Sequence, residues 1–221
     1  MIASEEIIRR LDGWSARWNS PRPEQARNRL LDFLKKWRSR SGDWFEGVAK
    51  DFFVPVLEIL PSGNWEEGFA GELQKLHFAN HTIWHFEDEA RRDDVSPQWI
   101  VEIKRGIDAV NQQRNNQMEN IDEWVLTATG VEPDDRELEI HSEPPGLMLD
   151  RFSILSLKIY HYRCQGKNDV LARLDRQRID LGAAFDTVMR QYAAGQKRFR
   201  IYRQFKTYND PQTNPLLKGG G

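Results

Sequence analysis

Residues 69–91 read FAGELQKLHFANHTIWHFEDEAR, and the spacing of their side chains decides the fold. Phe69, Leu73, Leu76, Asn80, Trp84, Glu87 and Arg91 follow one another at intervals of three and four. On an α-helix, at about 100° per residue, such positions fall within roughly 60° of arc. The spacing predicts a helix over about 65–92. It also contains a conflict, because Asn80, Glu87 and Arg91 occupy the middle of the stripe, with His77 and Asp88 on its flank.

The same period extends in both directions, and two-residue alternation is nearly absent. Downstream, Ile100, Ile103, Ile107, Val110, Met118, Ile121 and Val125 predict a helix over about 96–127, started by Ser96-Pro97. The short Asp93-Asp94-Val95 connection makes the two a long antiparallel pair. Upstream, Ile7, Leu11, Trp14 and Trp18 predict a helix from a Ser4 cap to about Asn19, ended by Pro21 and Pro23. Further helices are expected from about Pro23, from Ser41, over about Leu147–Cys164, and from an Asn168 cap to about Ala194. Residues 129–146 read as a long acidic loop. The expected fold class is all-α, a single-domain bundle of about seven helices. Residues 1–64 form an N-terminal helical extension packed on a core of 65–217, and 218–221 a disordered tail.

Composition narrows the functions. The 221 residues carry 32 basic and 34 acidic side chains, a net charge of −2, so no global charge favours nucleic acid or an anionic membrane. Two basic segments with aromatics, Arg27–Arg40 and Lys197–Lys206, suit an anionic partner but come with no nucleic-acid module. No apolar run reaches the roughly 20 residues of a membrane helix or forms a signal peptide; the expectation is cytoplasmic residence. The single cysteine, Cys164, forbids an intramolecular disulfide and is read as a buried, inert thiol.

The polar residues on apolar faces carry the functional reading. In the second long helix Asn111 and Arg114 fall inside the stripe, while Lys104, Asp108, Asn115 and Asp122 line its shoulder. In the helix near 147–164 the apolar arc contains Asp150, Arg151, Lys158 and His161. An unpaired ion taken out of water costs several kcal/mol, about enough to force pairing with another side chain, a metal or a ligand. Two readings stand. One is a cleft between three helices, open to a polar ligand; the other is a closed salt-bridge and amide network that sets helix register.

For the cleft, Glu87, Asp88 and Asp150 are the candidate acid/base groups. Arg91, Arg114, Arg151 and Lys158 would bind anions; His77, Asn80, Asn111, Asn115, Asp122 and His161 would orient ligand. Glu87, Asp88, Glu119, Asp122 and Asp150 are also oxygen donors of the kind Mg²⁺ takes, so a divalent metal is one cofactor expectation. Glu119-x-x-Asp122 resembles half of the carboxylate motif of all-α nucleotide pyrophosphohydrolases, and the other half is missing. His77, His81 and His85 recur every four residues on a flank expected to be half-exposed, a Zn²⁺-chelating spacing read here as non-metal. Ser153 and Ser156 are expected to pack or to bond back to the helix backbone.

These residues also carry a resemblance. The run from Leu76-His77 through Asn80, Trp84 and Glu87-Asp88 to Ala90-Arg91 resembles the signature of the bacterial family of unknown function DUF4254. Ile107-Asp108 with Asn111–Asn115 and Ile121-Asp122, Glu143–Gly146 with Asp150–Leu155 and Lys158–His161, and Phe205–Pro211 with Asn214-Pro215 are similar to three further blocks. The resemblance spans about 69–217. It implies a bacterial helical protein associated with cell-envelope polysaccharide or lipopolysaccharide synthesis, and it supplies no reaction. The expected function is binding or processing of a phosphorylated or glycan-related metabolite. A non-enzymatic scaffold and a Mg-dependent pyrophosphohydrolase-like enzyme are the alternatives, and oligomeric state stays open.

Overall fold

A computed structural model describes residues 3–18 and 68–203. The expected helices after Pro23 and Ser41, the block 205–217 and the tail lie outside the described residues. The chain is predominantly helical: α1 (Ser4–Trp18), α2 (Gly68–Ala90), α3 (Pro97–Thr129), α4 (Pro145–Cys164) and α5 (Asn168–Ala193). Two-residue strands β1 (Glu139–Ile140) and β2 (Lys197–Arg198) pair in parallel. No helix among the described residues is long and apolar enough to cross a membrane.

The helix ends follow local chemistry, with two corrections. Ser96 is extended, accepts from the Trp99 N–H at 3.2 Å and is followed by proline, while Gly130 closes α3 in the left-handed region at φ 68°, the one geometry glycine adopts without penalty. Ser4, expected to cap α1, is instead its first residue; its N–H and hydroxyl both donate to Asp186 of α5, at 2.9 and 2.7 Å. Asn168 opens α5 behind Lys167, which makes no side-chain cap.

Ile7, Leu11 and Trp14 of α1 pack with Leu73 and Leu76 of α2, Ile121 of α3, Phe152 of α4, and Phe185 and Tyr192 of α5 in one buried cluster. Each such Ile, Leu or Phe contributes about 1.5–3 kcal/mol by leaving water. A second cluster lies between α2 and α3, from Phe78, Ala79 and Phe86 to Ile103, Ile107 and Val110. Along that interface Phe69 meets Trp124, Glu72 meets Asn120, and Glu87 meets Lys104. Helix α4 lies across the pair, touching α1, α2, α3 and α5.

The described basic residues after α5 meet acidic partners within the chain. Lys197 pairs with Glu139, Arg200 with Asp134, and Arg203 with both Glu119 and Glu123. Arg198 donates to the carbonyls of Leu138 and Pro133. The acidic loop and the basic strand are each other's counterions, and β1–β2 is the backbone part of that contact.

Candidate functional site

Six side chains from four helices form one hydrogen-bonded chain through the core. Asp150, on the first turns of α4, accepts from Arg114 of α3 through two guanidinium N–H groups, Nε at 2.7 Å and Nη2. Asn80 of α2 spends one amide N–H on the same carboxylate, at 2.8 Å, and the other on Ser153 Oγ, at 2.9 Å. Ser153 Oγ lies 2.8 Å from His77 Nδ1, and His77 Nε2 lies 2.9 Å from Ser15 Oγ on α1. With Asn80 donating to Ser153, the serine proton is free for Nδ1. That assigns the imidazole proton to Nε2, facing Ser15. Asn111 accepts from Arg114 Nη1 at 3.4 Å.

Burial sets the electrostatics. The Asp150 side chain is 6% exposed and that of Arg114 25%, so the carboxylate is closed off while the guanidinium keeps one side open. Hydrogen bonding to Asp150 raises the Arg114 pKa further, against the opposing effect of burial. His77 is fully buried, and burial pulls its pKa down to about 3. The half-exposed flank expected for His77 is absent because Trp18 stacks on the imidazole at 5.3 Å and Trp14 lies at 6.1 Å. Neutral imidazole is therefore the bonded form.

A second histidine group follows on α2. His81 and His85 bring their Nε2 atoms to 3.2 Å. His161 of α4 lies parallel against Trp84, ring centres 4.6 Å apart, and 6.2 Å from His85. Burial lowers all three pKa values; for His85 and His161 the Asp88 carboxylate opposes it.

Other expected site residues go elsewhere. Asp122 is buried beneath the start of α4 and accepts from the Gly146 N–H at 2.6 Å. Desolvation raises its pKa to about 7, with Glu119 and Glu123 adding to the shift. Glu87 and Arg91, expected inside the stripe, form a surface cluster with Lys104; Arg91 is 68% exposed. Glu87 lies in the last turn of α2, Arg91 just past its end, and Lys104 faces them from α3. Arg151 is exposed and paired with Glu143 at 2.8 Å, and Lys158 and Asp88 are exposed. Asn115 is half-buried on α3. Cys164, expected buried, is exposed at the end of α4.

The five carboxylates expected as Mg²⁺ ligands do not converge, and among the described residues no three His, Cys, Asp or Glu side chains form a metal-holding group. Four of the five are already committed: Asp150 to Arg114, Asp122 to the Gly146 N–H, Glu119 to Arg203, and Glu87 to Arg91 and Lys104. A separate cleft of about 140 Å³ between α1 and α4, lined by Asp12, Ser156, Tyr160, Arg163 and Cys164 among others, takes in none of the expected site residues.

Sequence reasoning missed Ser15, and Ser153, expected to pack or to bond back to its own helix, instead bridges Asn80 and His77. A serine inside a helical apolar stretch carries no signal of its own; the available hint was that Ser153 follows Asp150 by three residues and shares its face.

The chain belongs to the family described as Protein of unknown function (DUF4254), whose model matches residues 71–201. That span holds every member of the chain of hydrogen bonds except Ser15. No curated protein and no solved structure matches the sequence.

Proposed function

We propose that the protein binds a small anionic metabolite, phosphorylated or glycan-derived, on the face where α2, α3 and α4 meet around Arg114. The observation that carries this reading is the state of that guanidinium. It is held rigidly by Asp150, yet Asp150 and Asn111 use three of its five N–H groups. Among the described residues the two others have no acceptor, and the side chain is 25% exposed. A preorganised arginine suits phosphate or carboxylate, since its fork loses little freedom on binding. Half-buried Asn111 and Asn115 flank it on α3. The antiparallel α2–α3 pairing supported by the Glu72–Asn120 and Glu87–Lys104 contacts supplies a stiff base. The family resemblance makes nucleotide sugars and sugar phosphates the first compounds to try.

A second reading has its own observation. Asp150, Ser153 and His77 are buried and mutually satisfied, which is how a register-setting lock in a non-enzymatic scaffold would look. A thermal-shift and calorimetry panel of inorganic phosphate, nucleotides, nucleotide sugars and sugar phosphates separates the two. Binding to the folded state raises its stability by mass action. The anion reading expects one compound to stabilise the wild type and to lose that effect in the Arg114→Met/Asp150→Asn double variant, which removes the guanidinium without stranding a buried charge. No shift with any compound, or the same shift in the double variant, favours the scaffold.

A further inference from the structure

The imidazole pair on α2 has the geometry of a chelate. In tetrahedral coordination with Zn–N bonds of about 2.0–2.1 Å, two ligating nitrogens stand roughly 3.3 Å apart. His81 Nε2 and His85 Nε2 are 3.2 Å apart, brought there by four-residue spacing on a regular helix. Both residues are half-buried, with part of their surface open to solvent.

A second observation points to the same place. His161 Nε2 is buried and has no hydrogen-bond partner among the described residues, although its ring is fixed flat on Trp84 beside His85. A buried ring nitrogen left unsatisfied is unfavourable, and such an atom calls for a water or an ion. No third protein ligand completes the group among the described residues, which leaves coordination positions for water. A water on an ion at the His81–His85 pair would lie on the His161 side and could donate to that orphan nitrogen.

We propose that His81 and His85 bind a late first-row divalent ion, Zn²⁺ or Cu²⁺ before Mg²⁺, with open positions held by water and His161 accepting from one of them. Imidazole donors select these ions, whereas Mg²⁺ requires oxygen. The proposal is independent of the anion reading at Arg114.

The test uses the full chain, stripped with a chelator and titrated with Zn²⁺ by calorimetry and with Co²⁺ by visible absorption. One equivalent is expected to bind, with the Co²⁺ bands of nitrogen ligation. His81→Gln and His85→Gln should each weaken binding at least 10-fold, as judged on variants whose circular dichroism matches the wild type. His161→Phe preserves a flat ring against Trp84 and should retain one equivalent with a shifted Co²⁺ spectrum. Metal uptake by the His81→Gln/His85→Gln double variant equal to that of the wild type would overturn the assignment. So would the absence of Co²⁺ bands in the wild type, leaving a plain imidazole–imidazole hydrogen bond.

Discussion

A Cβ placed on Gly146 would stand 2.3 Å from the Met118 carbonyl oxygen and 2.9 Å from the carbonyl carbon. Helix α4 thus begins with its bare backbone pressed on the backbone of α3. Four residues on either side along α3, Asp122 takes the Gly146 N–H and Arg114 takes Asp150. The close approach positions both clamps. Gly146→Ala must push backbone against backbone, so a loss of at least about 2 kcal/mol is expected in urea melts. A variant within about 0.5 kcal/mol of wild type, the range of ordinary surface changes, would contradict this packing.

Arg114→Met leaves Asp150 buried without its cation. Breaking a buried pair from one side costs about 3–5 kcal/mol. Adding Asp150→Asn restores neutrality and keeps an oxygen for Asn80 to donate to, so the double variant should recover a large part of the loss. A double-mutant cycle measures this coupling directly; additive losses would mean the two residues do not act as a pair.

His77 makes stability acid-sensitive. Its folded pKa of about 3 lies below the ordinary 6.5, so under pH 6.5 the unfolded chain takes up a proton that the folded one refuses. The contribution is complete above pH 6.5 and is lost as pH falls toward 3, at up to about 1.4 kcal/mol per pH unit. His77→Gln, which keeps polar atoms for Ser15 and Ser153, should show a shallower loss between pH 6.5 and 4. Equal slopes for variant and wild type would contradict a buried neutral imidazole.

Asp122 acts with the opposite sign. Its folded pKa of about 7 is above the ordinary 3.8, so its contribution is present below pH 3.8 and drains away as pH rises toward 7. Asp122→Asn keeps the oxygen that accepts from Gly146 but cannot ionise. Relative to wild type the variant should gain stability between pH 4 and 7 and stay level above that. A gap that does not change with pH would show that Asp122 ionises as readily folded as unfolded.

Ser153→Ala removes the hydroxyl between Asn80 and His77, leaving an amide N–H and a ring nitrogen unpaired in the core. A loss of about 1–3 kcal/mol is expected. Amide exchange on α1 should also quicken, because Ser15 is joined to the network through His77. A neutral result would mean that the groups on either side of Ser153 find other partners.

The five described helices and their approximate limits were legible in the sequence, because three- and four-residue spacing is a local property of the chain. So was the anomaly that placed Asn80, Arg114 and Asp150 on apolar faces, since any polar side chain interrupting such a stripe stands out. Tertiary structure alone decided what each interruption meant. Asn80 and Arg91 share one stripe, yet Asn80 is buried against Asp150 and Ser153 of α4 while Arg91 is solvated and paired with Glu87. Likewise, Lys197 and Arg200 read as an anion-binding segment until the fold brought Glu139 and Asp134 beside them across about 60 residues of chain. Periodicity states which direction a side chain faces; the energy of a charge or a hydroxyl depends on what crosses that face, and spacing along one helix does not encode the crossing.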